Sequence, residues 1–143
     1  MFRLGLGTVA LLAQLTAPVA SLPQIMTANF KAVAPVQAGR KADVTVSFNV
    51  LKGYSINHTP PVSLKLTPVA GIKLEKAEFE TPSPDPKSHD EYYVDVPVLK
   101  IPVSGLKSGK YEIPGKVTYF FCSKADGFCA KQTLDVKIPL QVQ

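Results

Sequence analysis

The chain has 143 residues, a length that suits one domain able to bury a core of its own. Its 13 prolines argue against long helices. The formal charge is +5, but the basic residues, among them Lys31, Arg40, Lys41, Lys52, Lys65, Lys73 and Lys76, are scattered. No basic block is interleaved with aromatics, so no nucleic-acid partner is expected.

Arg3 precedes an apolar run, Leu4 to Leu15, that is too short to span a bilayer comfortably. Small residues follow from Thr16 to Ser21. Val19 and Ser21 fit the small-x-small rule, which predicts a secretory signal peptide over residues 1–21. The mature chain, residues 22–143, is then expected in the periplasm or secreted. No later apolar run reaches membrane-span length, so a soluble protein is expected.

Period-two alternation dominates the remainder. Val44, Val46, Phe48 and Val50 share one face of the segment Ala42 to Val50. Leu64 and Leu66 alternate in Ser63 to Thr67, and Gly71 to Glu75 repeats the pattern. Val117, Tyr119 and Phe121 line one face of Gly115 to Phe121. Leu134, Val136, Ile138, Leu140 and Val142 form the clearest run. Strands with one buried face produce such patterns.

Turn signals interrupt them at Gln37-Ala-Gly39, Lys52-Gly53, Pro60-Pro61, Val69-Ala-Gly71, Ser104-Gly105, Ser108-Gly109, Pro114-Gly115 and Asp126-Gly127. The expected fold is all-β, an immunoglobulin-like β-sandwich, with no repeat and no second domain. Pro97, Pro102 and Pro139 lie inside apolar runs and mark edge strands or bulges. Between Tyr92 and Val103 the apolar phase slips, which predicts a bulge near Leu99. The polar, proline-rich Thr81 to Glu91 is expected to be a long exposed loop. Tyr54, Tyr111 and Tyr119 read as core or rim aromatics.

The two cysteines, Cys122 and Cys129, flank Ser-Lys-Ala-Asp-Gly-Phe. The Asp-Gly step puts them at the mouth of a β-hairpin, and export favours a disulfide between them. So short a loop makes a weak staple, about 2.5 kcal/mol at best. Lys124 and Lys131 would favour a thiolate, and Asp126 opposes them. Structural bridge and exchange chemistry both remain open on spacing alone. A metal site would need His58 or His89 as further ligands, and neither has a characteristic spacing. Asn57-His-Thr59 is formally a glycosylation sequon but reads more simply as a turn before Pro60-Pro61.

Lys116-Val-Thr-Tyr-Phe-Phe-Cys-Ser-Lys-Ala-Asp-Gly-Phe-Cys129 resembles the redox hairpin of the periplasmic N-terminal domain of the DsbD thiol:disulfide interchange protein family. Gly53-Tyr-Ser-Ile-Asn57 resembles that family's Gly-Tyr-His-Ile-Asn-like stretch. The resemblance extends over roughly Phe30 to Val142 and implies an immunoglobulin-like domain with a redox-active cysteine hairpin. It implies that Cys122 and Cys129 are catalytic, with Cys129 forming the mixed disulfide and Cys122 resolving it.

It implies thioredoxin-like partners and a membrane-embedded thiol reductase as electron donor; no cofactor and no bound metal are expected. It also implies a cap loop, which Asp90-Glu-Tyr92 resembles, whose aromatic excludes oxidants and whose carboxylates tune the thiols. Tyr92 and Tyr93 could equally begin the next strand. The turn is one residue longer than the family's usual one, and Ala130-Lys-Gln132 replaces the Pro-Pro-Glu-like sequence that often follows. With no membrane domain following, the electron donor is expected to be a separate protein and this chain a monomer. The competing reading is a non-catalytic exported sandwich with a structural hairpin disulfide. No serine–histidine–acid set or phosphate-binding glycine loop suggests a hydrolase or transferase.

Overall fold

A computed structural model describes residues 22–32, 35–84, 87 and 90–143. The expected signal peptide, residues 1–21, lies outside them, as do His89 and three further residues of the expected loop.

Among the described residues nine strands follow in order: β1 (Met26–Ala32), β2 (Lys41–Val50), β3 (Tyr54–Ile56), β4 (Ser63–Leu66), β5 (Ile72–Leu74), β6 (Glu78–Glu80), β7 (Leu99–Gly105), β8 (Gly109–Ser123) and β9 (Cys129–Val142). One sheet has the order β1-β2-β7-β5, with every pair antiparallel. The second is built on the long strand β8. On one flank β9 pairs with it from Gly109↔Val142 to Cys122↔Cys129. On the other flank β4 covers Gly115 to Thr118 and β3 covers Phe121 to Ser123, with β6 outside β4. The protein is an all-β two-sheet sandwich.

The alternation seen in the sequence is the alternation of burial. Val44, Val46, Ile101 and Val103 of the first sheet meet Leu64, Val117, Phe121 and Ile138 of the second, all buried in one core. Each such side chain stabilises the fold by roughly 1.5–3 kcal/mol. After β1 the chain crosses between sheets. Val36 then runs parallel to Val142, donating its N–H to Gln141 O (3.0 Å) and accepting from Gln143 N–H (2.8 Å).

Tyr119 ties β8 to the N-terminal segment. Its hydroxyl accepts from Met26 N–H (3.1 Å) and Gln24 Nε2 (2.8 Å) and donates to Gln132 Oε1.

Several expectations need correction. Tyr92–Val98 is not a strand, so the phase slip marks where β7 begins and not a bulge. Val94 is 94% and Val98 49% exposed, because neither belongs to an apolar face. Pro102 lies in β7, an interior strand between β2 and β5. It is tolerated because β5 ends at Leu74 opposite Val103, one residue short of the proline. Pro114-Gly115 is no turn; both residues lie within β8. β4 ends at Leu66 opposite Gly115, again just short of the proline. A Cβ on Gly115 would sit 2.9 Å from Leu66 Cδ2 and 3.1 Å from Val136 Cγ2, so glycine serves close strand packing there. Pro139 does lie where β9 has β8 on one side only, as an edge proline should.

Candidate functional site

Cys122 ends the part of β8 that pairs with β9, Cys129 begins β9, and the two are disulfide-bonded. Their Cα atoms are 4.0 Å apart, a separation of the kind found at non-hydrogen-bonded positions of an antiparallel ladder. The next pair outward is the hydrogen-bonded one, where Ser123 N–H donates to Phe128 O (2.8 Å).

Asp126-Gly127 marks this hairpin as expected, but not as a two-residue turn. Within the hairpin tip only Gly127 takes the left-handed conformation (φ 70°). Four residues, Lys124 to Gly127, form the tip. Gly127 N–H donates to Ser123 O (3.0 Å), and Asp126 N–H donates to Ser123 Oγ (3.2 Å). Lys124 N–H donates to Gly53 O (2.9 Å), which pins the tip to the turn before β3.

The two sulfurs sit in different surroundings. Phe121 points into the core, so Cys122, the next residue, points to the outer face of the sheet. Cys122 is nonetheless only 6% exposed, whereas Cys129 is exposed. Beside Cys129, Phe128 is 37% exposed, its ring edge-on to Phe121 at 6.1 Å. Lys124, Asp126 and Lys131, the charged residues singled out around the pair, are all exposed.

What shelters Cys122 comes from β3. Ser55 lies opposite it in register. Asn57, on the same face as Ser55, brings its Oδ1 within 3.6 Å of Cys122 Sγ. Asn57 N–H donates to Phe120 O (2.9 Å), which extends the β3–β8 ladder by one step. Asn57 is half-buried and turned to the sulfur, unlike a sequon displayed on a free turn.

Asp90, Glu91 and Tyr92 lie along the far side of β3 as a strap. Asn57 and Tyr92 are bridge partners, so they share a face of the sheet. Tyr92 therefore stands on the outer face that carries the disulfide. His58 N–H donates to Glu91 O (3.2 Å), and Tyr93 N–H donates to Ile56 O (2.9 Å). His58 adds side-chain ties. Its Nε2 donates to the Asp90 carbonyl, its Nδ1 is 3.1 Å from Thr59 Oγ1, and its ring lies edge-on to Tyr93 at 5.7 Å. Tyr93 OH donates to Pro82 O (3.0 Å) and bonds Thr81 Oγ1 (2.8 Å). Tyr92 and Tyr93 do not begin the next strand, which starts at Leu99.

His58, one of the two histidines considered as metal ligands, is thus engaged with the strap. Among the described residues no group of three or more His, Cys, Asp or Glu side chains is placed to hold a metal ion. A cleft of about 350 Å³ beside β3 is lined by Phe48, Val50, Tyr54, Tyr93 and Lys124 among others, and by neither cysteine.

The sequence points to the cysteines, their neighbours and Asp90-Glu-Tyr92. The sequence offers Asn57 only as a formal sequon and His58 only as a metal ligand without characteristic spacing, not as neighbours of Cys122 and of the strap. The signal for both was their place in the Gly53 to Asn57 stretch and directly after it.

No family model matches the sequence, and no curated protein matches it. Among solved structures the chain is similar to the "Cohesin module from Clostridium perfringens ATCC13124 family 33 glycoside hydrolase". The TM-score is 0.42 at 8% identity, over 85% of this chain and 100% of the module.

Proposed function

We propose that this protein is a thiol–disulfide exchange module. It works outside the cytoplasm, passing electrons from a separate membrane-embedded thiol reductase to thioredoxin-like proteins through the Cys122–Cys129 pair. The observation that carries this reading is the asymmetry of the pair: an exposed Cys129 joined to a buried Cys122 at an accessible hairpin end. Exchange requires a partner thiolate to approach one sulfur in line with the bond that breaks. Cys129 offers that approach. Cys122 is the sulfur that leaves and later resolves the mixed disulfide. Asp90-Glu-Tyr92 serves as a cap beside the site.

The test is a redox titration of the mature chain in graded glutathione buffers, scored by thiol alkylation. An exchange-competent pair should show a midpoint above about −300 mV. Cys122→Ser should then trap thioredoxin-like partners through Cys129, and Cys129→Ser should trap none. A pair that resists reduction well below that value would leave a structural disulfide in a non-catalytic sandwich.

A further inference from the structure

When the disulfide opens, the electron pair of the broken bond has to reside on a sulfur. Attack at the exposed Cys129 leaves that pair on Cys122, which is 6% exposed. Water cannot solvate a thiolate there well, and burial alone would push its pKa up and make it a poor leaving group. A buried leaving sulfur therefore needs a hydrogen-bond donor supplied by the protein.

We propose that the side-chain amide of Asn57 is that donor, a positioning and stabilising group for the Cys122 sulfur; the role rests on the exchange reading above. Asn57 Oδ1 lies 3.6 Å from Cys122 Sγ. A primary amide carries a carbonyl on one side and an NH2 on the other. Turned one way it accepts from a Cys122 thiol; turned the other way it donates to a Cys122 thiolate. One residue thus serves both protonation states without moving its backbone.

That backbone is held from both flanks, by Asn57 N–H to Phe120 O (2.9 Å) and by the bridge to Tyr92. The charged side chains nearest the pair in sequence and register are Lys124 and Asp126 in the tip, Lys131 on β9, and Asp90 and Glu91 on the strap, with the titratable His58 and Tyr92 beside Asn57. The five charged residues are all exposed, so solvent weakens their influence on a buried sulfur. β3 itself carries no charged residue.

The step balances within the two proteins. A partner thiolate attacks Cys129 Sγ and forms the intermolecular disulfide. The Cys122–Cys129 bond breaks, and its electron pair becomes the Cys122 thiolate, which accepts a hydrogen bond from Asn57 Nδ2. Resolution is the reverse: Cys122 attacks Cys129 Sγ and releases the partner's thiolate.

The experiment uses the whole mature chain carrying Cys129→Ser, so that Cys122 is its one thiol. Thiolate absorbance is followed against pH with Asn57 retained and with Asn57→Ala or Asn57→Asp. Removing the donor should raise the Cys122 pKa by about one pH unit, a tenfold smaller thiolate fraction at neutral pH. Asn57→Asp, which keeps the shape but places a carboxylate at the sulfur, should raise it further.

With both cysteines present, Asn57→Ala should slow reduction by dithiothreitol about threefold or more, since a higher leaving-group pKa slows exchange. Coincident titrations in a chain whose disulfide exchanges normally would overturn the role of Asn57 alone. A wild-type disulfide that resists dithiothreitol would remove the exchange reading and the Asn57 role with it.

Discussion

Opening the disulfide should leave the sandwich folded. The bridge joins residues only 7 apart in sequence. The chain-entropy relation gives a loop of that size about 2.5 kcal/mol of stabilisation. That is an upper bound here, because β8 and β9 are paired continuously from Gly109↔Val142 to the cysteines. The tip is also closed without the bridge, by Ser123 N–H to Phe128 O (2.8 Å) and Gly127 N–H to Ser123 O (3.0 Å). The core that holds the sheets together contains neither sulfur. Urea titration of the oxidised chain, the dithiothreitol-treated chain and a Cys122→Ala, Cys129→Ala double variant would measure the loss. All three should unfold cooperatively, the last two less stable by no more than about 2.5 kcal/mol. Thermal midpoints should fall by roughly 10 °C or less. Unfolding on reduction, or a loss of about 5 kcal/mol, would refute the reasoning and make the bridge a staple.

Other perturbations test other parts of the argument. Tyr119→Phe leaves the N–H of fully buried Met26 without its acceptor and should cost about 1–3 kcal/mol in urea unfolding. Burial also holds the Tyr119 phenol above its ordinary pKa, so the folded state favours its neutral form. That contribution is fully present below about pH 10 and is lost as pH rises through the folded pKa; Tyr119→Phe should flatten this alkaline decline. In Gly105→Ala the new Cβ would lie 2.5 Å from Val142 Cγ1, so strain should cost about 1–3 kcal/mol by thermal melting. His58→Ala removes the side-chain tie to the Asp90 carbonyl. Hydrogen exchange of the 90–93 segment should rise about tenfold, while Ile113 to Phe121 stays protected.

The long strands were legible because each has one buried face. β2 and β9 carry enough alternating residues for period two to be unmistakable, and the structure buries the faces they announce. β3 and β6 have three residues each, too few for a period to accumulate. They are strands because β8 and β4 offer unpaired edges beside them, which no local pattern records. Pro114-Gly115 misled for a related reason. A proline followed by glycine usually breaks a strand, but here the neighbouring strand ends at that point and the glycine admits Leu66 and Val136.

The site divides the same way. The cysteines and their hairpin could be read from eight consecutive residues. The difference between the two sulfurs could not, because it depends on strand order. β8 is interior at Cys122, with β9 on one flank and β3 on the other, while Cys129 begins a strand paired only with β8 there. Register then fixes which face the sulfurs occupy. A slip of one residue would turn Cys122 into the core and Phe121 to solvent, and the packing of Phe121 against Tyr54 (5.8 Å) and Phe128 (6.1 Å) opposes it. The alternation that builds the core therefore also sets Cys122 beneath Asn57 and leaves Cys129 in the open. It is also why a contact between residues 65 apart, Asn57 and Cys122, could be found only in the folded chain.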